Sequence, residues 1–180
     1  MTDVFDILSQ DHRAVEVLLR ELATTSADAG PLGEKLVMEE SRHEAAEEQH
    51  FWPTVRERVP DGDRLADRAL SQEDEGKAVL DDLRKAEPGS NEFTQLVSKF
   101  TQAGRAHIAF EENEVWPSLR SVLTSEERQE LGQKIERAKE AGPTRPHPNT
   151  PSSSGAQKTA GAAAAVADKA MDKLTGRGKK

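Results

Sequence analysis

The sequence contains no cysteine and no tyrosine among its 180 residues. Disulfides, thiolate metal ligands and thiol catalysis are therefore excluded, and so is a tyrosyl radical. Redox chemistry in this chain requires a bound metal or cofactor. Long apolar runs are also missing, since no stretch reaches the roughly 18 to 20 apolar residues of a membrane-spanning helix. The first residues, MTDVFDILSQDHR, lack the basic start of a signal peptide. We therefore expect a cytoplasmic protein with no membrane partner.

Positive charge is scarce in most of the chain. Residues 1–140 carry 18 Lys and Arg against 31 Asp and Glu, whereas residues 141–180 carry seven against two. An acidic body repels phosphate backbones, so we expect no nucleic-acid partner. The second region begins with the Pro- and Ser-rich stretch GPTRPHPNTPSSSGAQ, continues with an Ala-rich segment of helical composition and ends in GRGKK. We predict a folded body over 1–140 and a mobile basic tail over 141–180.

Strand signals are absent as well, and apolar residues recur at helical spacing instead. The four long segments with this spacing span about residues 2–25, 31–58, 62–86 and 90–122. Thr124 and Glu127 then form a capping box that begins a shorter fifth helix, ending near residue 140. This pattern predicts an all-α fold: an antiparallel, up-down-up-down four-helix bundle with a short fifth helix and a flexible C-terminal tail.

An eleven-residue pattern occurs twice, as HEAAEEQHFWP at residues 43–53 and as HIAFEENEVWP at residues 107–117. Six of the eleven positions are identical, and the copies fall at matching places in the second and fourth helices. In each copy a His and a Glu four residues apart project from one helix face. That face is the apolar, inward one. Pro53 and Pro117 are each expected to kink their helix or to end it about a turn early.

The first and third helices also direct polar groups inward, at His12 and Glu73. Buried carboxylates are costly unless they pair or bind a cation. Three imidazoles and three carboxylates without a thiolate suit iron or manganese, with zinc also compatible. They exceed the four ligands of one tetrahedral zinc, and so predict a two-metal site with a bridging carboxylate. The candidate ligands are His12, His43, Glu47, Glu73, His107 and Glu111.

The doubled H-x3-E-E…W-P pattern, with Asp11 and His12 early in the first helix, resembles the hemerythrin-like, HHE cation-binding family. The resemblance covers about residues 3–122. It implies a four-helix bundle around a non-haem di-iron centre, with two iron ions joined by an oxo or hydroxo bridge and a small diatomic or peroxide ligand. The ligands it implies are His12, His43, Glu47, His107 and Glu111.

The third helix departs from that family, which usually places a His there, commonly as Glu-His. Here the segment reads LSQEDEGKAVLDDL and contains no His. Glu73 is the best substitute by register, and Glu75 is the alternative. An additional carboxylate favours the ferric state, which fits peroxide or nitric oxide chemistry, or redox sensing, better than reversible oxygen carriage.

Several neighbouring residues have open or minor roles at this stage. His50 lies on the same face as His43 and is interpreted as a further ligand, an outer partner of a ligand, or a proton donor. Trp52 and Trp116 are interpreted as plugs at the end of the bundle, and Glu44 is expected in solvent.

Three functions fit these patterns. The first is a di-iron protein that reacts with peroxide, nitric oxide or oxygen in detoxification or stress response, with peroxidase-like, catalase-like or nitric oxide peroxidase activity. The second is a non-enzymatic oxygen or iron sensor or store that uses the same site. The third is a structural bundle whose tail recruits a partner. For the oligomeric state, a monomer and a weak dimer both stay open.

Overall fold

The computed structural model describes residues 2–25, 28–148 and 161–175. Within these residues all regular structure is helical, which confirms the predicted all-α class. In the same residues, every helix is too short or too polar to cross a bilayer. The α-helices are α1 Val4–Thr24, α2 Ala29–Ala46, α3 Trp52–Arg58, α4 Gly62–Lys85, α5 Asn91–Phe110, α6 Trp116–Val122, α7 Ser125–Ala141 and α8 Ala162–Thr175.

Two π-helical turns, Glu47–Phe51 and Glu111–Val115, join α2 to α3 and α5 to α6. In each turn the N–H of the following tryptophan bonds to the glutamate carbonyl five residues back. The wide turn leaves room for the proline that follows, which has no N–H to contribute. Neither helix therefore ends early at its proline, as the sequence had allowed, and both continue for a further α-helical segment.

Four antiparallel rods form the bundle: α1, α2 with α3, α4, and α5 with α6, while α7 packs against α1 and α2. Local signals set where the rods begin. Asp3 caps α1 by accepting from the Phe5 N–H at 3.0 Å. Ser90 caps α5 in the same way through Phe93, also at 3.0 Å. The predicted capping box of Thr124 begins α7.

The core consists of two apolar layers. One contains Phe5, Trp116 and Leu119 among others, and the second contains Leu36 and Phe100 among others. Along every rod, the candidate metal ligands fall between residues of the first layer and residues of the second. The bundle therefore holds a polar layer near its middle, enclosed above and below by hydrophobic packing.

The described part of the tail is packed rather than loose. Asp168 is buried and accepts from the backbone N–H groups of Thr144 and Arg145, each at 2.9 Å. The Thr144 hydroxyl donates to Asp172 at 2.7 Å. These bonds hold α8 against the segment that follows α7. The predicted mobility of residues 149–160 and 176–180 lies outside the described residues and stays a prediction.

Candidate metal centre

The structure brings all six predicted ligand side chains into the polar layer. Five of these residues are at most 5% exposed, and the sixth side chain, that of His107, is 14% exposed. They form two groups in which one ligand atom of each residue lies within 4.8 Å of the others. The histidine cluster consists of His12, His43 and Glu111, and the carboxylate cluster consists of Glu47, Glu73, His107 and Glu111. Glu111 belongs to both clusters.

The three imidazoles face the glutamates with the same ring nitrogen. His12 Nε2 lies 3.1 Å from Glu111 Oε2, and His107 Nε2 lies 3.3 Å from Glu111 Oε1. His43 Nε2 lies 3.3 Å from Glu47 Oε2. The Glu111 carboxylate therefore lies between His12 of α1 and His107 of α5, with one oxygen towards each cluster. This is the placement of a carboxylate that can bridge two ions.

The other ring nitrogen, Nδ1, of each histidine contacts an outer polar side chain. The three pairs are His12 with Glu112 at 3.0 Å, His43 with Asp11 at 3.3 Å and His107 with Gln72 at 3.1 Å. Such contacts fix the ring orientation and the tautomer of a metal ligand. Two of the partners are held in turn, Glu112 by Arg13 at 3.2 Å and Asp11 by a hydrogen bond from Lys139 of α7.

The inward atoms of the clusters are left open. Within the described residues, hydrogen bonds are lacking for both carboxylate oxygens of Glu47 and Glu111, for Glu73 Oε2, and for Nε2 of His12 and His107. Buried polar atoms in proteins are normally hydrogen-bonded. A convergent set of unsatisfied nitrogen and oxygen atoms therefore fits a cation, and the mixture of imidazole and carboxylate suits iron, manganese or zinc.

The pKa values of the buried glutamates in the polar layer are shifted by burial and by their charged neighbours. Burial, and then repulsion from Glu111, raises the pKa of Glu47 well above its usual value. Burial does the same to the pKa of Glu73. Glu111 behaves in the opposite way: burial acts against its charge, but contacts with His107 and His12 outweigh it and lower its pKa. In the metal-free protein, protons and imidazolium charge compensate the carboxylates that a metal would neutralise.

The third rod supplies a buried cation that the sequence analysis did not find. Lys77 is 7% exposed, donates to Glu48, and lies 3.9 Å from Glu73 Oε2. Burial opposes its charge, but Glu44, Glu73 and Glu48 outweigh that effect and raise the pKa of Lys77 further. Its position four residues after Glu73 on α4 was the available signal, since that spacing places both side chains on one face.

Glu75 and His50, the other residues considered as possible ligands, lie outside both clusters, and Glu44 is buried. Glu75 is exposed, so the structure brings Glu73 and not Glu75 into the carboxylate cluster. His50 is half-buried and belongs to neither cluster. The expectation that Glu44 lies in solvent is wrong, because α4 and the segment after α7 cover it.

The two tryptophans do more than plug the bundle. The Trp116 ring stacks on His12, with 5.2 Å between centroids and 15° between planes. The Trp52 indole donates its N–H to Glu73 Oε1. Both rings therefore contact candidate ligands, which the sequence pattern of a tryptophan before a proline did not indicate.

Solved and curated proteins resemble this chain over most of its length. A crystal structure of a hemerythrin HHE cation-binding domain-containing protein from Mycobacterium kansasii superposes with a TM-score of 0.69 over 93% of this chain and 99% of that chain. At 20% identity, this likeness shows a shared fold. An uncharacterised hemerythrin-like protein of Schizosaccharomyces pombe is 24% identical over 97% of this chain and 87% of its own length.

A DNA nickase of a Nostoc strain is also 24% identical, over 76% of this chain. The chain spans only 39% of the length of that enzyme. The profile of the hemerythrin HHE cation-binding domain matches residues 3–119, which include the first three rods, most of the fourth and both clusters. With its bundle and its inward histidines and glutamates, this chain belongs to the hemerythrin HHE cation-binding domain family.

Proposed function

We propose that this protein is a non-haem di-iron protein that reacts with a small oxidant, namely peroxide, nitric oxide or oxygen, in detoxification or stress response. The observation that carries the proposal is the pair of donor clusters joined by Glu111. His12 and His43 would hold one ion and Glu47, Glu73 and His107 the other, with Glu111 between them. Family membership supports cation binding.

Two features favour iron and a reactant of few atoms. The donors are imidazole and carboxylate groups, which suit a redox metal, and the carboxylate cluster favours its ferric state. The ligand residues are nearly all inaccessible to solvent, so an organic substrate has no contact with them. When bound, the iron pair supplies the redox chemistry that a chain without cysteine and tyrosine lacks.

The chain itself contributes position and exclusion of water. The outer contacts of the histidines hold each ring with Nε2 inward. The two apolar layers separate the clusters from solvent, which strengthens every charge interaction inside. Trp116 holds the His12 ring from one face.

The first test is the iron content per chain after anaerobic loading with ferrous iron and desalting. The wild type should retain about two ions, and Glu73→Ala about one. Glu75→Ala is the matched control, since Glu75 lies two residues away and is exposed; it should retain both ions. Iron near zero in the wild type would refute the proposal and favour a structural bundle.

The same samples separate turnover from simple binding. An enzyme should consume peroxide or nitric oxide faster than an equal amount of free iron, and Glu73→Ala should lose that excess. A sensor or store would instead show a reversible spectral change with oxygen and no consumption. Peroxide and nitric oxide loss at the rate of free iron would refute the enzymatic form of the proposal while leaving the metal centre in place.

A further inference from the structure

Trp52 and Trp116 occupy equivalent positions in the two copies of the repeat, but their indole N–H groups differ. Both rings are buried, at 1% and 8% exposure. The Trp52 N–H donates to Glu73 Oε1. The Trp116 N–H has no hydrogen-bond partner among the described residues. The same residue type at the same repeat position therefore acts on a carboxylate in one copy only.

The indole changes what Glu73 can offer to a metal. Its Oε1 is occupied by the Trp52 N–H, while Oε2 makes no hydrogen bond within the described part of the chain. Lys77 lies 3.9 Å from Oε2 and donates to Glu48 instead. Within the described residues, neither oxygen of Glu47 or Glu111 makes a hydrogen bond, and their neighbours are the Nε2 atoms of His12, His43 and His107, which are themselves candidate metal donors. Within the carboxylate cluster, one glutamate is thus limited and two are not.

We propose that Trp52 is a positioning residue that restricts Glu73 to a single metal-binding oxygen. The inference rests on the proposed two-metal centre and deepens it. A carboxylate that binds through one oxygen fills one coordination position, and a chelating carboxylate fills two. With Oε1 held by the Trp52 N–H, Glu73 would fill one coordination position of a bound ion and leave the other for a small reactant. Trp52 acts through Glu73 and needs no contact with the reactant.

Cobalt provides a spectroscopic test, because its visible absorption weakens as the coordination number rises. Wild type, Trp52→Phe and Phe93→Leu are each loaded with cobaltous ion to saturation. Phenylalanine at position 52 keeps an aromatic ring and removes the N–H and part of the ring volume. Phe93→Leu is the control for lost ring volume, since Phe93 is buried in the second apolar layer beside Gly33.

We expect Trp52→Phe to lower the absorption per cobalt by about half, because Glu73 can then chelate with both oxygens, and Phe93→Leu to leave it within about a tenth of the wild type. Identical spectra for Trp52→Phe and the wild type, with two cobalt ions in each, would overturn the inference and leave the two-metal centre intact. A wild type that holds fewer than two ions would refute the proposed centre itself.

A second measurement needs no folded Trp52 variant. The chain contains two tryptophans, so the indole region of its proton–nitrogen NMR spectrum holds two signals, which Trp116→Phe assigns. The Trp52 signal should exchange slowly with solvent both without metal and in the zinc-loaded protein. Loss of that protection on zinc loading would mean that Glu73 releases the indole to chelate, and would overturn the inference.

Discussion

The two copies of the repeat carry the same inward residues in different surroundings. Residues 43–48 are all buried, whereas among residues 107–112 only Phe110 and Glu111 are buried. The first copy is covered on its outer side by α7 and by the segment that follows it, where Glu44 and Arg145 both line a cavity of about 20 Å³. The second copy faces solvent on that side.

This difference shows that an identical residue need not have an identical role. Glu48 and Glu112 are equivalent in the repeat, yet Glu48 pairs internally with Lys77 while Glu112 contacts His12 and Arg13 near the surface. The His and Glu that begin each motif lie in the clusters of the polar layer in both copies. Substitutions at equivalent positions therefore separate what the centre requires from what the surroundings impose.

The largest expected difference is between Glu111→Ala and Glu47→Ala. Glu111 belongs to both clusters and Glu47 to one, so the first change should remove both metals and the second only one. Metal at a free concentration 100 times the Kd of a site should raise the free energy of unfolding by about 2.7 kcal/mol. This rise should vanish in Glu111→Ala. Iron content and thermal unfolding with and without metal measure both effects. Equal losses in the two variants would contradict a shared ligand.

A smaller difference is expected in the stability of the metal-free protein between Glu48→Gln and Glu112→Gln. Glu48 is 1% exposed, and its removal leaves the Lys77 ammonium buried with weaker partners. We expect a loss of about 3 kcal/mol, since breaking a buried ion pair costs this order. Glu112 pairs with an exposed Arg13, so its loss should be about 1 kcal/mol or less.

Urea unfolding of the two variants beside the wild type gives these values. The Glu48→Gln variant should have the lower urea midpoint of the two, with the same m-value as the wild type. A similar midpoint for both variants would show that Asp74, which lies 3.3 Å from the Lys77 ammonium, fully replaces Glu48.

The two copies of the repeat also show which features of the fold and of the candidate site could be predicted from the sequence. The helical spacing of apolar residues located the four rods, and the capping box of Thr124 located the start of α7. The i,i+4 spacing identified four of the six clustered side chains, and the inward positions of His12 and Glu73 identified the other two. Register could not reveal that Glu44 is buried, because its cover comes from α4 and from residues about a hundred positions later in the chain. Register also could not reveal the two π turns or the bond from Trp52 to Glu73. That bond depends on how the third rod meets the second.

A third comparison concerns the outer partners of equivalent histidines. His43 contacts the Asp11 carboxylate, which Lys139 holds, while His107 contacts the neutral amide of Gln72. Removing such partners lowers metal affinity by about 10- to 100-fold. We expect Asp11→Ala near the upper end and Gln72→Ala near the lower end, measured by competition with a chelator. The reverse order would show that charge on the outer partner does not strengthen the ligand.

The smallest expected effect is on how the stability of the metal-free protein depends on pH. Protons bound to the buried glutamates relieve much of the repulsion between their carboxylates. Burial and Glu111 raise the pKa of Glu47 above 4.5, so the folded protein keeps a proton that the unfolded chain loses above that pH. Stability therefore falls as pH rises. Contacts with His107 and His12 outweigh burial and lower the pKa of Glu111, so its contribution is present above 4.5 and is lost as pH falls.

Glu47→Gln and Glu111→Gln, at equivalent positions of the repeat, test these opposite pH dependences. Glu47→Gln should flatten the decline in stability above pH 4.5 and make the metal-free protein more stable at the alkaline end. Glu111→Gln should destabilise the metal-free protein at neutral pH, because His12 and His107 lose the anion between them. Urea midpoints at several pH values, with metal excluded by chelator, measure both. Parallel pH profiles for the two variants would mean that the copies share one electrostatic environment despite their different surroundings.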